Sequence, residues 1–71
     1  MKRVPIQSDK LLSVGYDAEL QVLEVEFNDH NVYQFVNVTA AVYTALTNAT
    51  DKYAYYVANI MYEFAGQRVY P

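Results

Sequence analysis

The sequence predicts an α+β fold in which a three-stranded antiparallel β-meander is followed by two helices packed on one face of the sheet. Apolar residues alternate with polar ones in the first half of the chain, and Asp- and Asn-containing turns divide that half into three segments. After residue 38 the hydrophobic period lengthens to about 3.6, the period of a helix. With 71 residues and no cysteine, the chain is expected to form one small domain without disulfide bonds.

The predicted sheet occupies residues 11–37, behind a polar arm at residues 1–10 that contributes at most a short edge segment. Its strands are LLSVGYD (11–17), LQVLEVEF (20–27) and VYQFVNV (32–38). The links DAE and NDHN between them are typical of hairpin turns, because Asp and Asn tolerate left-handed backbone conformations. Three strands joined by tight turns form an antiparallel meander.

The middle strand has the clearest alternation in the chain. Leu23, Val25 and Phe27 lie on one of its faces, whereas Glu24 and Glu26 lie on the other. A strand of this kind covers a core with one face and meets water with the other. We therefore expect the three apolar side chains in the core and both glutamates in solvent.

Two helices are predicted over residues 39–48 and 51–65, which leaves residues 66–71 as a tail. Their expected terminal residues are Thr39 or Asn37 before the first helix, Asn48 at its end, Thr50 or Asp51 before the second, and Gly66 after it. An acidic cap also suits the partial positive charge at the start of a helix.

The second predicted helix contains the stretch YAYYVANIMY at residues 53–62, which holds four of the eight tyrosines. At about 100° per residue, its apolar stripe consists of Tyr53, Val57, Ile60 and Phe64, with Met61 and Tyr56 beside it. We assign this stripe to the core. The predicted core as a whole is Leu23, Val25, Phe27, Leu46, Val57, Ile60 and Phe64.

Tyr55 and Tyr62 are predicted on the opposite side of that helix, near Asn59. This side lacks the Lys and Glu residues that cover most exposed helix faces. Tyrosine combines a large contact area with a polar hydroxyl, and it is enriched in interfaces for that reason. The three residues are therefore candidates for binding another molecule. The alternative is that both tyrosines pack under the N-terminal arm or the C-terminal tail.

The sequence offers little for catalysis or for holding a cofactor. His30, the only histidine, lies beside Asp29 in a predicted turn, where a solvated side chain is the expected role. No cysteine is present, the two glycines form no phosphate-binding loop, and no set of metal-ligating residues converges. We therefore expect no enzymatic activity, no metal and no cofactor.

Four segments resemble the KTSC family, a short domain at the C-terminus of some lysyl-tRNA synthetases that also occurs as stand-alone bacterial and phage proteins. They are SVGYD (13–17), LEVEF (23–27), VYQFVNV (32–38) and VYTALTNATDKYAYYVANI (42–60), and the resemblance covers about residues 4–62. The central Tyr-x-Tyr of the family is similar to Tyr33-Gln34-Phe35, and its lysine before the second helix is matched by Lys52. Tyr53 stands where the family usually has glycine. The resemblance implies an α+β fold and adds Tyr33 and Lys52 to the candidate binding residues.

Two functions follow from these observations. The first is a protein-interaction module that binds a protein partner or forms a homo-oligomer through its aromatic helix face, for example as a phage-encoded modulator of a host protein. The alternative, implied by the resemblance, is binding of RNA or single-stranded nucleic acid. A net charge of −3 disfavours this alternative, because phosphate binding normally needs an excess of cations. Without a signal peptide or a membrane-spanning apolar run, we expect a cytoplasmic protein.

Overall fold

The computed structural model describes residues 2–70, which form a five-stranded antiparallel sheet and two α-helices. The strands are β1 (Val4–Pro5), β2 (Leu11–Asp17), β3 (Val22–Phe27), β4 (Val32–Phe35) and β5 (Gly66–Tyr70), and the helices are α1 (Ala40–Asn48) and α2 (Lys52–Asn59). The strands lie in the sheet in chain order, so both helices belong to the connection between β4 and β5. The predicted α+β class with an antiparallel sheet and two helices is confirmed, whereas the predicted number of strands is wrong.

The two additional strands come from the N-terminal arm, where at most a short edge segment was expected, and from the predicted C-terminal tail, where no strand was expected. In β1, Val4 pairs with Val14 of β2, and in β5, Gly66 pairs with Phe35 of β4. Neither segment shows the apolar alternation that marks the other three strands. These two strands pair with the edges of the sheet through backbone hydrogen bonds. Such bonds do not require a particular pattern of side chains, so the sequence does not indicate them clearly.

The inner strands are shorter than predicted at two ends. β3 begins at Val22 rather than at residue 20, and β4 ends at Phe35 rather than at residue 38. Gln21 and Asn37 have φ angles of 56° and 61°, in the left-handed region, and therefore interrupt the extended backbone.

Helix α1 lies where it was predicted, with Thr39 in the N-cap position although its side chain makes no capping hydrogen bond. Helix α2 has the predicted Asp51 cap, whose Oδ1 accepts a hydrogen bond from the Ala54 backbone N–H at 3.0 Å. It ends at Asn59 rather than at residue 65. The amides of Ile60 and Met61 both donate to the Tyr56 carbonyl, and this shared acceptor marks the end of the regular helical pattern.

The core lies between the helices and one face of the sheet. Its buried hydrophobic residues are Leu11, Val14, Leu23, Val25, Phe35, Val38, Leu46, Tyr56 and Ile60. Of the seven predicted core residues, Leu23, Val25, Leu46 and Ile60 are buried, whereas Phe27 and Phe64 are half-buried and pack against the core. The core prediction is therefore confirmed for Leu23 and Val25 in β3, for Leu46 in α1 and for Ile60 directly after α2.

Val57 is the exception, since 36% of it is exposed. The neighbouring Tyr56, expected only at the flank of the apolar stripe, is buried and packs edge-on against Phe27 at 5.3 Å and against Phe35 at 5.8 Å. Helix α2 is thus rotated about its axis toward Tyr56. This rotation carries Val57 to the edge of the apolar face and turns Tyr55 into a half-buried position.

The outer face of the sheet is partly covered, contrary to the expectation that Glu24 and Glu26 meet water. Glu24 is only 7% exposed, and its carboxylate accepts hydrogen bonds from Arg3 at 2.5 Å and from Gln34 at 2.8 Å. A Cβ on Gly15 would lie 2.8 Å from the Lys2 carbonyl oxygen, so the missing side chain lets the N-terminal arm cross the sheet here. Glu26 is half-buried.

Candidate functional site

Aromatic side chains line a groove at the end of the sheet where β3 turns into β4. We call it the aromatic groove, and its rings belong to Phe27, Tyr33, Phe35, Tyr53 and Tyr56. Met61 and Gly66 complete its apolar lining, and Lys10, Asn28, Asp29 and Asn31 form its polar rim. Its volume of about 480 Å³ is in the range of small-ligand and side-chain pockets.

The strand register places three of these rings on the helix-facing side of the sheet. Tyr33 lies opposite Val25, and Phe35 lies opposite Leu23, so both rings project to the face that carries the core. Phe27 continues the same face of β3 and meets Tyr33 edge-on at 5.6 Å. The end of this face is not fully covered by α2, and the gap between them is the aromatic groove.

Tyr53 and Tyr56 reach the groove from α2. They are three residues apart and therefore share a helix face, with their ring centroids 6.1 Å apart. Burial raises the pKa of the Tyr56 hydroxyl from 10.0 to about 12, and the neighbouring tyrosines act in the same direction. Tyr56 thus belongs to the core, whereas the half-buried Tyr33 and Tyr53 present ring surface to the groove.

Gly66 forms part of the groove wall because the Phe35 ring lies directly over it. A Cβ on Gly66 would lie 2.4 Å from Cε2 of Phe35, which is closer than any real contact of that kind. Its φ angle is not positive, so the requirement for glycine here is one of space rather than of backbone conformation. Gly66 was expected to end the second helix, and its observed role is to let Phe35 cover the first residue of β5.

Lys10 is the cation of the groove. Its Nζ lies over the Tyr53 ring, 6.0 Å from the centroid, at a distance where a cation is attracted to the ring face. It makes no ion pair with any of residues 2–70. Asp29 on the same rim accepts hydrogen bonds from the backbone N–H and the side-chain amide of Asn31, at 3.0 and 2.9 Å. The rim therefore offers one ammonium group, while its carboxylate is engaged within its own turn.

A second groove, which has fewer aromatic residues in its lining, shares Lys10 and Tyr53 with the first. Its remaining lining residues are Gln7, Ser8, Asp9, Thr50, Asp51 and Lys52. Lys52 Nζ donates a hydrogen bond to the Ala49 carbonyl at 2.9 Å, so this lysine ties together the α1–α2 connection. The two grooves therefore meet at Lys10 and Tyr53, which line both.

The five candidate binding residues from the sequence do not lie together in the structure. Tyr33 lines the aromatic groove and Lys52 lines the second one. Tyr62 lies beyond the end of α2 and is 84% exposed. Tyr55 was expected to point away from the sheet, but it is half-buried and packs against the core. Asn59 is exposed, and its side-chain amide donates to the Tyr55 carbonyl at 3.2 Å.

Sequence reasoning missed Lys10, Tyr53 and Tyr56 as residues of a site. Lys10 precedes β2 and is far in sequence from the other groove residues, so only the sheet register brings it to them. Tyr53 and Tyr56 were assigned wholly to the core. The signal for Tyr53 was its position where the family usually has glycine, which adds an aromatic ring at this edge.

The outer face of the sheet carries a second polar cluster, of Ser13, Glu26 and His30. Glu26 accepts a hydrogen bond from the Ser13 hydroxyl at 2.8 Å, and its other oxygen lies 3.4 Å from His30 Nδ1. These contacts, that of Ser13 first, lower the pKa of Glu26. Because the serine hydroxyl donates to the carboxylate and not to the imidazole, the cluster lacks the nucleophile–base contact of a hydrolase. His30 lies in the β3–β4 turn with 76% of its side chain exposed, as expected.

Two further features concern only the described part of the chain. Residues 2–70 contain no group of three or more His, Cys, Asp or Glu side chains arranged to hold a metal ion. None of the helices in this range has the length and apolar character needed to cross a membrane.

Comparison with known proteins gives consistent results. The family model described as KTSC domain matches residues 7–64. An uncharacterized protein of Stutzerimonas stutzeri (strain A1501) is 49% identical over 49 residues, which make up 69% of this chain and 69% of the relative. The crystal structure of a KTSC domain protein from Yersinia pestis is similar with a TM-score of 0.93 and 26% identity, over 96% of each chain. The chain therefore belongs to the KTSC domain family, as its sequence segments predicted.

Proposed function

We propose that this chain is a small non-enzymatic interaction module that binds a segment of a protein partner in the aromatic groove. The observation that carries the proposal is the groove itself, with Tyr33 and Tyr53 presenting ring surface beside the ammonium group of Lys10. Aromatic side chains and a small number of polar groups are the usual composition of sites where protein segments bind. Such a module also fits a phage-encoded modulator of a host protein, since that role needs only a compact binding surface.

The proposal moves the binding surface from the outer side of α2 to the groove. Tyr55 and Tyr62 do not form a common exposed surface, because Tyr55 packs against the core whereas Tyr62 is 84% exposed. Tyr33, predicted from the family resemblance, is the candidate residue that lies inside the groove. The absence of enzymatic activity is part of the same proposal, since the groove lining holds no cysteine, serine or histidine nucleophile.

The test is a selection of peptides from a random library on the immobilised chain, followed by calorimetric titration. Tyr33→Ala should weaken the binding of the selected peptides by about tenfold or more, because aromatic rings at the centre of a binding site contribute much of the affinity. The matched control is Tyr43→Ala, since Tyr43 is also a half-buried tyrosine but stacks on Tyr16 at 5.1 Å, outside the groove. The control should bind within about twofold of wild type. Equal binding by both variants, or no selected peptide at all, would contradict the proposal.

A second candidate function is binding of single-stranded RNA in the same groove. It is favoured by Arg68, which pairs with Tyr33 across β4 and β5 and so projects to the same face, where it adds a second cation near the rings. The net charge of −3 opposes it. We expect weak binding that is lost as salt increases, measured by titration of labelled RNA at low and physiological salt. A Kd below about 1 µM at physiological salt would make RNA the better-supported ligand.

A further inference from the structure

We infer that the partner of the aromatic groove is a second copy of this chain, with Tyr62 of each copy inserted into the groove of the other and Glu63 of each copy paired with Lys10 of the other. This inference rests on the proposed function and names its partner. It is carried by an exposed side chain and a groove of matching chemistry that lie next to each other on the same surface.

Tyr62 is the projecting group of this surface. With 84% of its surface exposed, it is more exposed than any other large hydrophobic residue among residues 2–69. It lies in the turn after α2, directly after Met61, which lines the aromatic groove. The chain thus carries a protruding ring at the margin of a groove built from rings, and aromatic pairs are favourable in edge-on and offset-stacked arrangements.

The charged groups near Tyr62 and the groove are also complementary. Glu63 follows Tyr62 and is exposed, and within residues 2–70 it makes no ion pair. Lys10 lies on the groove rim above Tyr53 and is also without an ion pair in that range. A tyrosine followed by a carboxylate therefore meets a ring-lined groove with an ammonium group on its rim. Complementary charges of this kind fix the orientation of a complex.

The adjacency of ring and groove suits a two-fold axis. In a symmetric dimer the same patch occurs on both copies, so each copy must present the inserted group and its receptor side by side. Helix α2 adds apolar surface next to Tyr62, because Ala54, Val57 and Ala58 are exposed and uncharged. An exposed helix side without charged residues is more consistent with a covered surface than with a solvated one.

The test is sedimentation equilibrium of the full chain, from micromolar to millimolar concentration, with a charge-reversal cycle. Lys10→Glu and Glu63→Lys should each weaken the dimer by about tenfold or more, because each places like charges together. The double variant Lys10→Glu with Glu63→Lys should return to within about threefold of wild type. Tyr62→Ser should weaken it by about thirtyfold or more. Melting curves check that each variant is folded, as expected for these exposed positions.

The matched control is Leu20→Ser. Leu20 is 70% exposed and lies in the β2–β3 turn, at the opposite end of that strand pair from Phe27 and the groove, so its variant should dimerise like wild type. A wild-type chain that stays monomeric at millimolar concentration would overturn the inference. A dimer that Tyr62→Ser leaves unchanged, or a double charge reversal no tighter than the single ones, would do the same.

The failure of this inference can be distinguished from failure of the proposed function. The selected peptides are titrated into Tyr62→Ser, whose groove has no competitor from a second copy, and they should bind it more tightly than wild type. Peptide binding by a monomeric wild-type chain would overturn the dimer and leave the groove as a protein-binding site. A chain that neither dimerises nor binds peptides would contradict both.

Discussion

Tyr56 links the core to the pH dependence of folding. Burial raises the pKa of its hydroxyl in the folded chain to about 12, above the value of 10.0 expected when it is exposed. The folded state thus favours the neutral phenol, whose contribution to stability is complete below about pH 10 and is lost as the pH rises toward 12. We expect the free energy of unfolding of the wild type, measured in urea, to decrease between about pH 10 and pH 12. The free energy of unfolding of Tyr56→Phe should decrease less steeply, because phenylalanine cannot ionise. Identical slopes for both proteins would contradict the assignment.

Gly66 supplies a second prediction for a single residue. Gly66→Ala places a methyl group into the Phe35 ring, which is only 3% exposed and has little room to move. We expect a loss of about 1–3 kcal/mol in the free energy of unfolding, the usual cost of overpacking. The double variant with Phe35→Leu should lose less than the sum of the two single losses, because the smaller side chain relieves the clash. Additive losses in urea unfolding would show that the two residues do not compete for space.

The rotation of helix α2 about its axis can be tested by substituting two apolar residues, Val57 and Ile60. Ile60 is fully buried at its end, and Ile60→Ala should cost about 2–5 kcal/mol of unfolding free energy. Val57 is 36% exposed, and Val57→Ala should cost less than about 1 kcal/mol. The two substitutions form a matched pair, one inside α2 and one directly after its end, and both are measured by chemical denaturation. A loss of about 2 kcal/mol or more at Val57 would mean that the helix has the rotation predicted from its sequence, in which Val57 is also buried, rather than the observed one.

The elements differ in how much of them the sequence predicts. β3 was predictable because Leu23 and Val25 alternate with charged residues, and α1 because its apolar spacing is regular. The end of α2 was not, since the apolar spacing continues through Met61 and Phe64 after the backbone has left the helix at Ile60. The spacing of apolar side chains shows which residues face the core. Because the turn after α2 also directs Met61 and Phe64 toward the core, the helical spacing continues although the helix has ended.

The same limit applies to the candidate site. Tyr33 and Lys52 were identified from a local sequence resemblance, and Tyr62 from its position on a helix. Lys10 could not be identified, because its contact with Tyr53 joins two segments far apart in the chain. Contacts of this kind depend on the register of the sheet and on the rotation of α2. The sequence therefore predicted some of the rings but not the groove that they form.

The N-terminal arm stabilises the molecule as a whole through Arg3 and Glu24. Arg3→Ala removes the partner of a carboxylate that is 7% exposed, and we expect it to lower the unfolding free energy by about 1–3 kcal/mol. Arg3→Met with Glu24→Leu should recover most of this loss, since no buried charge is then left unpaired. Lys2→Ala serves as the control for a neighbouring exposed cation. Equal stability of Arg3→Ala and Lys2→Ala would show that the ion pair contributes nothing.

The position of both helices between β4 and β5 has a consequence for the order of folding. Strands β2, β3 and β4 are joined by short turns, so the loops that close on their pairing are small. β5 pairs with β4 only after residues 36–65 have closed into a loop, which costs more chain entropy and slows the event. A ribosome releases these segments in the same order, so the Phe35 ring is synthesised well before Gly66, the residue over which it finally packs. We therefore expect the aromatic groove to be completed late in folding, so that a partner bound in the groove would bind only chains in which β5 has paired.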